Sequence, residues 1–92
     1  MKLSRLAGYK KRELRNQLVE VLEKLGYAVI FDRGDFSNGA CKVYEDNRVV
    51  INKFFPIDVH LEFLLDFLSE KDLSKIYLLP SVRELIESRV KK

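Results

Sequence analysis

The stretch ACKVYEDNRVVINK, residues 40–53, decides the fold. It reads as two strands, Ala40 to Glu45 and Arg48 to Lys53, parted by Asp46 and Asn47, residue types that tolerate the positive φ angles of a tight hairpin. The pair is expected to be antiparallel. In the second strand Val49, Val50 and Ile51 are consecutive rather than alternating with polar residues, the pattern of a strand covered at least in part on both faces. That run predicts a central place in a sheet.

Working toward the N-terminus, Arg33 to Gly39 holds two glycines with acidic, amide and hydroxyl side chains and reads as a loop. Before it, Tyr27 to Phe31 is rich in aromatic and β-branched residues and predicts a first strand. Leu14, Leu18, Val21, Leu22 and Leu25 recur at intervals of three and four, lining one face of a helix over Tyr9 to Leu25. Gly26 ends that helix, because glycine takes the left-handed conformation that satisfies terminal carbonyls.

Toward the C-terminus, Pro56 suits the opening turn of a second helix and Asp58 places negative charge near the positive end of its dipole. This helix is expected to reach Glu70, with Ile57, Leu61, Leu64, Leu65 and Leu68 as its core stripe. Val59, Phe63 and Phe67 widen the apolar arc beyond what one sheet face requires, which predicts a second buried surface. Ile76 to Leu79 reads as a short strand or an extended connector, closed by Pro80. Ser81 and Glu84 form a capping box that starts a last helix at Val82, docked by Leu85, Ile86 and Val90. The sum is a small single α+β domain over residues 9–92, preceded by a basic arm over residues 1–8. Its expected order is α-β-β-β-α-(β)-α, with helices on an antiparallel sheet of three strands, or four if 76–79 adds one.

The chain has 92 residues, room for one core that buries roughly 60 to 65% of the unfolded surface. With 47% apolar and 34% charged residues it can bury enough surface to fold. No apolar run approaches the about 20 residues that span a bilayer, and none has signal-peptide character. A single cysteine cannot form an internal disulfide, so the expected setting is the cytoplasm.

One histidine and one cysteine, His60 and Cys41, leave little for catalysis. A zinc-peptidase helix needs two histidines four apart beside a glutamate, and here the stretch reads His60, Leu61, Glu62, Phe63, Leu64. His60 is expected to be a partly buried structural residue, Cys41 a small buried hydrophobe, and the chain to need no cofactor or metal. The loop carries Asp32, Arg33, Asp35, Asn38 and Cys41 as a candidate ligand or enzyme site, against the plainer reading of a structured connection with Phe36 in the core. Lys2, Arg5, Lys10, Lys11, Arg12 and Arg15 face only Glu13, a clustering that suits nucleic-acid phosphates or ordinary solvation.

The run from Gly34 through Cys41, Val49-Val50-Ile51-Asn52-Lys53 with Pro56, and Ile76 to Pro80 leading into Val82-Arg83-Glu84 resembles a family of short uncharacterised bacterial proteins. The likeness covers most of the chain beyond the arm. It implies a fold and a cytoplasmic bacterial setting, and carries no activity. Val50-Ile51-Asn52 is also similar to the strand that precedes the metal-binding helix in zinc peptidases that cleave phage-type repressors. Without the metal motif, that likeness implies a non-catalytic derivative or a generic strand-to-helix step, and the second is favoured.

The expected function is a non-enzymatic module that self-associates or docks a protein partner through Val59, Phe63 and Phe67. The alternative is nucleic-acid binding through the basic arm and first helix, and the remote one an enzyme or ligand site at residues 32–41.

Overall fold

A computed structural model describes residues 6–33 and 41–90. Lys2 and Arg5 of the basic arm, and Asp35, Phe36 and Asn38 of the loop, lie outside the described residues. The elements run α1 (Gly8–Lys24), β1 (Ala28–Asp32), β2 (Cys41–Tyr44), β3 (Arg48–Asn52), α2 (Ile57–Ser69) and α3 (Pro80–Val90). This is the expected α+β class, and each element falls within two residues of its predicted bounds. The radius of gyration, 12.8 Å, is about that of one compact domain of this length.

The sheet is mixed rather than purely antiparallel, with strand order β1-β3-β2. β3 is central, as its apolar run predicts. β2 pairs with it antiparallel, from Cys41 opposite Ile51 to Tyr44 opposite Arg48. β1 pairs with it parallel, from Ala28 beside Arg48 to Asp32 beside Asn52. The direction follows from the connection: β1 ends, β2 begins and β3 ends at the same edge of the sheet, so the chain re-enters where it left and β3 returns parallel to β1. The ends lie two strand spacings apart, about 10 Å, which a connection of eight residues spans with slack.

The hairpin turn holds three residues, Glu45, Asp46 and Asn47, one more than the predicted pair. Asn47 takes φ 62°, and its N–H donates to the Tyr44 carbonyl at 3.1 Å. Asparagine there relieves much of the strain another side chain would meet in the left-handed region. α1 ends as expected on Gly26, φ 98°, whose N–H donates to the Glu23 carbonyl at 3.0 Å.

At the C-terminus the structure selects the connector from the two readings of 76–79, and one expectation changes. Among the described residues no strand forms at 76–79: Leu78 is buried and anchors an extended connector, while Tyr77 and Leu79 on either side are exposed. α3 starts at Pro80, so Ser81 is already helical and does not cap. Proline opens this helix instead, since a first-turn residue needs no N–H and its φ is preset.

One cluster fills the space between sheet and helices. Leu14, Leu18, Val21 and Leu22 of α1, Leu61, Leu64, Leu65 and Leu68 of α2, and Val82, Leu85 and Ile86 of α3 meet Val49 and Ile51 of β3. Val50, on the opposite sheet face, is buried yet stands apart from that cluster. Its neighbours Ile30 and Lys42 in the flanking strands are both exposed. Among the described residues, the consecutive apolar run therefore reports shielding by neighbouring strands and no second layer of helices. α1 packs on β1 and on α2, while α3 packs chiefly on α2 and less on α1. Arg89 ties α3 to α2 through Glu62 at 2.6 Å and Asp66 at 2.8 Å. No described helix is long and apolar enough to cross a membrane.

Candidate functional site

Cover on the core side of β2 is partial: Cys41 packs against the core cluster, whereas Val43 is exposed. Residues paired directly across strands share a sheet face, so Val43, opposite Val49, points toward the helices. Val49 is 0% exposed and Val43 40%. α1 packs on β1, and α2 packs on α1. Val59, Phe63 and Phe67 of α2 stand one helical turn apart, so the three predicted surface residues do share one stripe.

They are not equally available. Phe67 packs edge-on to Tyr27 at 5.4 Å and under Lys71, whose Nζ lies 4.5 Å from its ring. Phe63 stacks on Phe67 at 5.7 Å and is half-buried against the core. Val59 is 37% exposed. The wide apolar arc is thus spent partly on packing, at Phe67 and Phe63, and partly left exposed at Val59. Phe54 and Phe55, both exposed, continue apolar surface between β3 and α2. Val43 is the residue that sequence reasoning missed. Val43 alternates with Lys42 along β2, but only the fold shows that it is left exposed on the core side of the sheet.

At the end of the sheet where β1 and β3 finish, His60 is 1% exposed, more deeply buried than expected. Its Nε2–H donates to the Asn52 carbonyl oxygen at 2.8 Å, which leaves Nδ1 to accept from the Arg15 guanidinium at 3.5 Å. Phe31 packs edge-on against the imidazole at 5.9 Å and takes the Arg15 guanidinium 5.0 Å above its ring. The node joins α1, β1, β3 and α2, and a histidine so enclosed is a brace rather than a general base.

The same geometry divides the predicted basic cluster. Lys11 is held by Asp58 at 2.8 Å with its side chain 14% exposed, and Arg15 is occupied in the His60 node. Lys10 and Arg12 remain on the exposed side of α1, where Lys10 lies 5.7 Å from the ring of Tyr9. The charges do not form one continuous stripe among the described residues.

In the candidate loop, the Asp32 carboxylate accepts from the Arg33 N–H at 2.7 Å, and Arg33 lies 6.0 Å from the ring of Phe54. Cys41 is partly buried on the core side of β2, and desolvation pushes its thiol from the ordinary 9.0 up to about 11. A thiol raised this far is a poor nucleophile near neutral pH. Iodoacetamide is expected to alkylate native Cys41 at pH 8 about a hundredfold more slowly than the unfolded chain, following the thiolate fraction; equal rates would overturn the burial argument. Because the folded value is raised, its stabilising contribution is complete below pH 9.0 and fades as pH climbs toward about 11. No group of three His, Cys, Asp or Glu side chains suited to a metal occurs among the described residues.

With this geometry in hand, no family model, no curated protein and no solved structure matches the chain.

Proposed function

We propose that the chain is a non-enzymatic cytoplasmic protein-docking module, with the exposed apolar side chains Val43 on β2 and Val59 on α2 in its contact surface. The observation that carries this reading is Val43, 40% exposed on the core side of the sheet while its partner across the ladder, Val49, is fully buried. A sheet face is normally covered by another layer, and a partner's apolar segment supplies the layer that α3 does not. Val59, 37% exposed on α2, adds further apolar surface. Nucleic-acid binding has less support, since Lys11 and Arg15 are engaged within the fold.

Both exposed valines can be changed without opening the core. Val43→Asp combined with Val59→Asp is expected to leave far-UV dichroism intact and to abolish stoichiometric, nuclease-resistant association of the tagged full chain in its native host. Association that survives the pair of changes, or that depends on nucleic acid, overturns the reading.

A further inference from the structure

We draw no further inference here: the strongest candidate, the exposed apolar patch of Phe31, Phe54 and Phe55 at the end of the sheet where β1 and β3 finish, with Arg33 and Lys53 beside the Phe54 ring, is an unpartnered surface, and nothing in the structure shows what covers it.

Discussion

Replacing His60 with alanine is expected to lower stability by about 3 kcal/mol, combining a cavity in a site that is fully enclosed with the loss of a buried hydrogen bond. For a domain of this size that lowers Tm by about 15 °C. The Asn52 carbonyl loses the donor 2.8 Å away, and Arg15 and Phe31 lose the ring they pack against. His60→Gln is the informative companion, because its amide nitrogen reaches where Nε2 stood. It is expected to lose only about 1 kcal/mol, within the ordinary worth of imperfect packing. Equal losses in the two variants, read by thermal denaturation, would show that the donor to Asn52 contributes nothing.

The second large effect separates the two faces of β3. Ile51→Ala is expected to lose about 3 kcal/mol, as for other large-to-small changes at fully buried sites. Val50→Ala is expected to lose only about 1 kcal/mol, because fewer methyl groups are removed and its surroundings are less enclosed. Ile51 lies in the cluster shared by all three helices, whereas Val50 is shielded only along the sheet. Urea denaturation with unchanged slope measures both. A loss at Val50 equal to that at Ile51 would mean that the second face is covered after all.

Position 50 also shows where sequence reading reaches its limit. A run of Val49, Val50 and Ile51 reports that all three are shielded, and it placed β3 centrally; it does not distinguish a covering helix from the side chains of flanking strands. Direction was invisible for a related reason. The hairpin fixes β2 against β3 locally through Asn47, but β1 meets β3 across 20 positions of sequence, Ala28 beside Arg48, and no residue pattern in either strand encodes parallel rather than antiparallel pairing.

The candidate site was half legible. Val59, Phe63 and Phe67 stand out by periodicity, because a helix stripe of that width exceeds one interface. How much of the excess is used internally depends on Tyr27 and Lys71, which approach Phe67 only in the folded chain. The basic cluster was less legible: Lys11 and Arg15, which look free in sequence, are engaged by Asp58 and His60, residues more than 40 positions away. Long-range pairing of charges leaves no local signature, whereas capping by Gly26 does.

The parallel β1–β3 pair makes the eight-residue connection between β1 and β2 a tether across the end of one strand. The entropy of closing a chain segment grows only logarithmically, by about 0.6 kcal/mol for each doubling of length. Little of the fold's stability is therefore invested in how long that segment is. A change in its length is therefore expected to leave the β1–β3 ladder, from Ala28 beside Arg48 to Asp32 beside Asn52, and the helical core in register.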